Sequence, residues 1–170
     1  MPATATVRSW RWLLVGAIAI GTLDLVFACA YWRLLHGIPA LRILQSVAAG
    51  WFGEASRNMG STSAAVGALS HYAIVFVFVL AYRLAGRRLP ALFRYWPALG
   101  AAYGLALYGA MNFVVLPLSA AGPPSFDDAV WVAGSIVVHA VIGVMCAWFA
   151  RASAQTGTSV SARRPAPSVR

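Results

Sequence analysis

Four apolar runs, at about 12–35, 63–83, 96–118 and 129–150, leave little room for any architecture other than a helical membrane protein. A helix needs roughly 20 mostly apolar residues to cross a hydrocarbon core, and each run is long enough. Each also meets a recognisable stop. The first ends at Arg33, His36, Gly37 and Pro39, the second at "YRLAGRRLP" and the fourth at Arg151, while the third opens on "YWP", an interface aromatic pair with proline in the first helical turn. Composition agrees, since 61% of the 170 residues are hydrophobic and 10% are charged, against about 45–50% and about 25% in soluble domains. The expected fold is all-α, a polytopic membrane four-helix bundle forming a single transmembrane domain over 1–151. A cytoplasmic tail over 152–170, rich in Ser, Pro and Arg and without apolar periodicity, is expected to be disordered.

The first run has Arg8 and Arg11 ahead of it and a small-x-small "ACA" at Ala28–Ala30, as a signal peptide would. Its apolar region is longer than a signal core and contains Asp24, so a retained helix is expected. Between the first two runs, Leu41, Leu44, Ala48, Trp51, Phe52 and Ala55 recur at helical spacing while Arg42, Gln45, Ser46 and Glu54 fall elsewhere. That pattern predicts an amphipathic helix over about 39–56, either lying in the interface or re-entering the membrane. All thirteen basic residues are arginines. With a cytoplasmic N-terminus, ten fall inside and only Arg33, Arg42 and Arg57 outside. The positive-inside rule therefore predicts that both termini are cytoplasmic.

Asp24 is the sharpest single feature, because a carboxylate at the centre of a membrane helix costs about 2.5–3.5 kcal/mol on insertion scales. Eleven Leu, Ile, Val or Phe residues in the same run offset that cost without explaining the acid. Gly21 lies on the same face as Asp24. His71 follows Gly67 by four; His139 follows Ser135 by four and precedes Gly143 by four; Asn112 follows Gly109 by three and Tyr108 by four. Polar groups beside small residues indicate contact between helices. Threading the runs alternately at about 1.5 Å per residue brings Asp24, His71, Asn112 and His139 to depths within about two turns of one another. They are expected to form one inward polar cluster, a ligand or proton site, with Tyr108, Ser135 and Gln45 as supporting residues. Gly100 and Gly104, a G-x-x-x-G pair, are expected to pack against another helix or a second copy.

Three readings of the cluster stand together. It could hold the bundle together through interhelical hydrogen bonds, each worth about 0.6 kcal/mol, in a scaffold or accessory membrane subunit. It could carry protons or bind a cation in small-solute transport, a layout shared with small four-helix proton-coupled exporters. As the least favoured reading, His71 and His139 could ligate one haem. No catalytic residues and no metal set are expected, since G-x-S-x-G, H-E-x-x-H and phosphate-binding glycine loops are missing from the sequence and Glu54, Asp127 and Asp128 look isolated. Cys29 and Cys146 lack redox spacing and read as small core residues. The arginines flank apolar runs instead of striping a polar domain, so the expected partner is the lipid bilayer, with a second copy or another membrane protein also open, and not nucleic acid.

The segments "GTLD" (Gly21–Asp24), "LRILQSVAAG" (Leu41–Gly50), "GALSH" around His71 and "YGAMNFVVLPLS" (Tyr108–Ser119), with a histidine in the last run, together resemble small, uncharacterised bacterial inner-membrane proteins of four spans. The resemblance covers most of residues 12–145. It implies a four-helix bacterial membrane fold and brings no mechanism with it.

Overall fold

The computed structural model describes residues 3–161, with side chains over 9–155. Helix α1 (Ala3–His36) leads to α2 (Ala40–Phe52) and a 3-10 turn (Gly53–Asn58), then α3 (Gly60–Arg88) and the short turn α4 (Ala91–Arg94). Helix α5 (Trp96–Ala110) runs on through a π-helical stretch (Met111–Val115) and the turn α6 (Leu116–Leu118), and α7 (Ala129–Ser161) completes the chain. Among the described residues, four helices are long and apolar enough to cross a membrane: Ser9–His36, Gly60–Arg88, Trp96–Leu118 and Ala129–Gln155. Their outward faces carry Leu14, Ile18, Val26, Leu69, Val77 and Val137, all exposed, which is the surface a lipid bilayer would cover.

Helix ends lie where the backbone is forced to stop. At the end of α1 Gly37 takes φ 69, a left-handed conformation that glycine adopts without a Cβ penalty; its N–H donates to the Arg33 carbonyl at 3.2 Å. Where no breaker occurs, helices outrun the apolar runs. Helix α7 passes Arg151 and continues to Ser161, so the first residues of the expected tail are helical, and residues 162–170 of that tail lie outside the described residues. Ser153 is fully buried and its hydroxyl donates to the Ser9 carbonyl at 2.8 Å, fastening the end of the α7 span to the start of the α1 span.

Helix α7 sits centrally, packed on α5, α1 and α3. The core joins Leu13, Ala17 and Ile20 of α1 to Val75 and Val79 of α3 and to Ile142, Cys146 and Phe149 of α7. Cys146 is buried there while Cys29 is only half-buried, and both are free thiols. Toward the opposite end from His36, Tyr82, Ala147 and Ala150 form a second cluster with Phe93, Trp96 and Tyr103.

Glycines set the closest approaches. A Cβ on Gly100 or Gly104 would run into the α7 backbone near Gly143 and His139, and one on Gly143 into the backbone of Gly100 and Gly104. The G-x-x-x-G pair is therefore used within the chain, against α7. Gly67 meets the Leu44 carbonyl of α2, and Gly21 meets Tyr72 and His71. Gly109 departs from expectation: nothing lies within 4 Å of a Cβ built there, so it is not a packing glycine.

Helix α2 lies along the first turns of α3 with Gln45 and Ala48 buried. Of the amphipathic stripe, Leu44 and Ala48 meet Gly67 of α3 and Trp51 donates its indole N–H to Ser70 of α3 at 2.9 Å, whereas Leu41 and Phe52 are exposed, so the stripe is divided between α3 and the surface. Gln45 is buried because its amide is satisfied: its Nε2 donates to the Gly60 carbonyl at 2.9 Å and its Oε1 accepts from Arg42 at 3.1 Å. It closes the α2–α3 junction and takes no part in the polar cluster.

These contacts predict opposite outcomes for two alanine substitutions in one helix. Gly104→Ala forces α5 away from the His139 carbonyl and should lower stability by about 1–3 kcal/mol. Gly109→Ala, in open space, should raise it by about 0.5–1 kcal/mol through helix propensity alone. Unfolding of both variants in detergent, followed by circular dichroism, checks the pair.

Candidate functional site

Helices α3 and α5 flank a gap floored by α1 and α7, bridged where the Tyr103 hydroxyl donates to the Phe78 carbonyl at 2.9 Å. The gap is a cavity of about 740 Å³, within the roughly 300–1,000 Å³ range of small-molecule sites. Asp24, His71, Asn112 and His139 all border it, as do Tyr108 and Ser135. Apolar residues such as Ile74, Val75, Phe78 and Ile142 make up much of the wall.

The four polar side chains share the cavity without forming one continuous hydrogen-bonded network. Asp24 Oδ2 lies 3.9 Å from His71 Nε2, with the two side chains 27% and 11% exposed. The same Nε2 makes a 2.9 Å bond to the Gly21 carbonyl. A carbonyl only accepts, so Nε2 carries the hydrogen and Nδ1 of His71 is the nitrogen with a lone pair when the ring is neutral. His139 has the opposite arrangement. Its Nδ1 donates to the Ser135 carbonyl at 2.8 Å, leaving Nε2 as acceptor. Each imidazole thus spends one nitrogen on helix backbone and keeps the other.

Asn112 owes its position to Pro117. Proline has no N–H to return to the carbonyl four residues back, and its ring crowds that carbonyl. The helix responds with the π-helical stretch Met111–Val115 just ahead of it, a local widening. Asn112 lies in that stretch. Its Nδ2 donates to the Tyr108 carbonyl at 2.8 Å, which leaves the amide oxygen as acceptor. The Tyr108 ring stands edge-on to His139 at 5.3 Å between centroids. Ser135 is buried, and its hydroxyl has no hydrogen-bond partner among the described residues. The His139 nitrogen nearest that residue bonds its backbone carbonyl and not its hydroxyl, so the two do not form a nucleophile–base pair.

The haem alternative fails on the same geometry. His71 has Nε2 engaged by Gly21 and beside Asp24, so it would have to offer the hindered Nδ1 while His139 offers Nε2; the residues do not fit bis-histidine ligation. No group of three or more His, Cys, Asp or Glu able to hold a metal ion occurs among the described residues.

Sequence reasoning missed the assembly at the end of α1. Asp128, which looks isolated in the chain, accepts from the Tyr31 hydroxyl at 2.7 Å and pairs with His36 Nε2 at 3.1 Å. Its other oxygen accepts from the backbone N–H groups of Val130 and Trp131 at 3.1 and 2.9 Å, capping α7. Trp32 and Trp131 pack beside this group with ring centroids 5.3 Å apart. The available signal was Asp128 directly ahead of an apolar run, an N-cap position.

The backbone N–H of Trp131 and the Tyr31 hydroxyl hold the Asp128 carboxyl below its ordinary value. A depressed carboxylate stabilises the fold above its unfolded-state value, and that contribution is lost as pH falls through the folded-state value. Asp128→Ala should therefore lower the melting temperature at neutral pH and flatten the acid limb of the stability profile. Asp128→Asn keeps a capping oxygen and should flatten the acid limb with a smaller loss at neutral pH. Thermal unfolding from neutral to acid pH distinguishes the two.

No family model, curated protein or solved structure compared with the chain matches it.

Proposed function

We propose that the chain is a multi-pass protein of the bacterial inner membrane, both termini cytoplasmic, that couples movement of a small solute to a proton or cation held at Asp24 and His71. The observation that carries this reading is a carboxylate with no hydrogen bond among the described residues, 3.9 Å from an imidazole, on the wall of a cavity of about 740 Å³. An intramembrane acid is expensive, and acid–imidazole pairs of this kind serve as proton relays in pumps and transporters. His71 is suited to exchange with Asp24 because its Nε2–H already points at the Gly21 carbonyl beside that carboxylate, while Nδ1 can take a second proton.

Orientation is supported by charge. Arg83, Arg87, Arg88, Arg94 and Arg151 lie at one end of the bundle; Arg33, Arg42 and Arg57 lie at the other with Glu54, Asp127 and Asp128. That bias supports a cytoplasmic position for the arginine-rich end. The likeness of "GTLD" and "YGAMNFVVLPLS" to four-span bacterial inner-membrane proteins supports the same compartment. Helix α2, contributing Ser46, Val47, Gly50 and Trp51 to the wall, would close the cavity on the outer side.

The competing reading is a scaffold or accessory subunit, favoured by the interhelical bonds that His71 and Tyr103 make to backbone carbonyls. In proteoliposomes carrying an internal pH dye and an imposed pH gradient, Asp24→Asn should reduce protein-dependent proton flux at least tenfold while helicity and monodispersity hold. Flux equal to that of the unsubstituted protein removes the transport reading. A change in melting temperature alone, with no flux in either protein, favours the scaffold.

A further inference from the structure

The hydrogen-bonding capacity that remains in the cavity specifies a kind of ligand. Asp24 supplies the only carboxyl group among the described residues bordering the cavity, and no described arginine borders it. The acceptors that remain after internal bonds are assigned include the Asp24 carboxylate, Nδ1 of a neutral His71, Nε2 of His139 and the amide oxygen of Asn112. A cavity that presents unpaired acceptors around one negative charge suits a guest that brings several N–H donors and a positive charge. The Ser135 hydroxyl, buried on the same wall without a partner among the described residues, can turn its hydrogen or its lone pairs to such a guest. Ser46, Ser119 and Ser125 also border the cavity with their hydroxyl hydrogens already donated to Ile43, Leu116 and Asp127, and Ser70 accepts from Trp51. Most of the remaining lining is apolar or aromatic, with Trp51, Tyr108, Phe126 and Trp131 contributing rings. Ring faces attract cations, and apolar walls bury a hydrocarbon body.

We infer that the cavity binds a primary organic ammonium ion carrying an apolar or aromatic body, with Asp24 as its counter-ion and His139 and Asn112 as hydrogen-bond acceptors. This deepens the transport reading and rests on the same cavity, because an ammonium ion and a proton would both address Asp24. An anion would meet the carboxylate with no arginine to offset it. A quaternary ammonium would satisfy the charge and leave the His139 nitrogen and the Asn112 oxygen unpaired, since it has no N–H to donate.

Isothermal titration calorimetry on the protein in nanodiscs tests this with probes that share one body and differ in the head. These are 2-phenylethylammonium, its N,N,N-trimethyl derivative, 2-phenylethanol and 3-phenylpropanoate, each corrected for partition into empty nanodiscs. Saturable binding of the primary ammonium is expected, at least tenfold weaker for the trimethyl derivative and the alcohol, and undetectable for the carboxylate. Asp24→Asn should weaken the ammonium at least tenfold, and His139→Ala several-fold. Equal affinity of ammonium and alcohol, or tighter binding of the carboxylate, overturns the inference using the unsubstituted protein alone, whatever the variants do. Binding of the ammonium by a folded Asp24→Asn protein at unchanged affinity also overturns it. Proton flux separates this result from the transport reading. Selective ammonium binding without flux retains the ligand class and sinks transport, whereas Asp24-dependent flux without ammonium binding does the reverse.

Discussion

The backbone contact of α5 with α7 at Gly100, Gly104 and Gly143 is the constraint on which the remaining architecture depends. Between apolar helices in lipid the hydrophobic effect supplies little association energy, so close van der Waals contact through small residues has to supply it. Three glycines allow two backbones to touch, and that contact draws α5 onto α7. Gly67 does the same for α2 against α3. With each of these pairs drawn together on its own side, α3 and α5 meet chiefly through the Tyr103–Phe78 bond, and the space between them becomes the cavity. The glycines carry no chemistry, yet they decide where the polar side chains end up.

Proline acts next. Had α5 continued as a regular helix through Pro117, Asn112 would keep α-helical register with Tyr108 and Val115. The π-helical widening over Met111–Val115 lets the chain tolerate the missing N–H and sets Asn112 on the cavity wall with its amide nitrogen tied to Tyr108. One imperfection of the backbone thus fixes which end of the amide is used internally and which end is left over. The two histidines follow the same logic, since a backbone carbonyl of a helix, Gly21 for one and Ser135 for the other, selects the tautomer of each ring.

Apolar run length, stop signals and helix-compatible polar ends made the four spanning helices legible in the sequence, because each is a local property of the chain. Asp24, His71, Asn112 and His139 border one cavity, as the similar depths found by counting residues along alternating spans led one to look for, although no single hydrogen-bond network joins them. What could not be read was direction. Gln45 shares the polar character of the cluster and lies in an amphipathic stretch, but it points at Gly60, an outcome decided by the packing of α2 on Gly67. Gly109 has the same spacing to Asn112 that packing glycines have elsewhere, and it faces open space because the neighbouring contact was already made one turn earlier at Gly104. Asp128 was misjudged for the opposite reason. Its partners Tyr31 and His36 lie more than ninety positions away along the chain, and only the return of α7 alongside α1 brings them to it.

Magnitudes bear on whether interhelical bonding alone accounts for the cluster. The bonds from His71 to Gly21, from His139 to Ser135 and from Asn112 to Tyr108 are each worth about 0.6 kcal/mol by the average for membrane proteins. Only the first of them joins two helices; the other two close within α7 and α5 and hold nothing together. Asp24 makes no hydrogen bond among the described residues, with His71 Nε2 3.9 Å from its Oδ2, while its presence in a membrane helix costs about 2.5–3.5 kcal/mol. A bundle built only for cohesion would therefore be more stable with an apolar residue at position 24. Retaining a carboxylate beside His71, facing a cavity instead of a neighbouring helix, is an arrangement whose cost has no structural return.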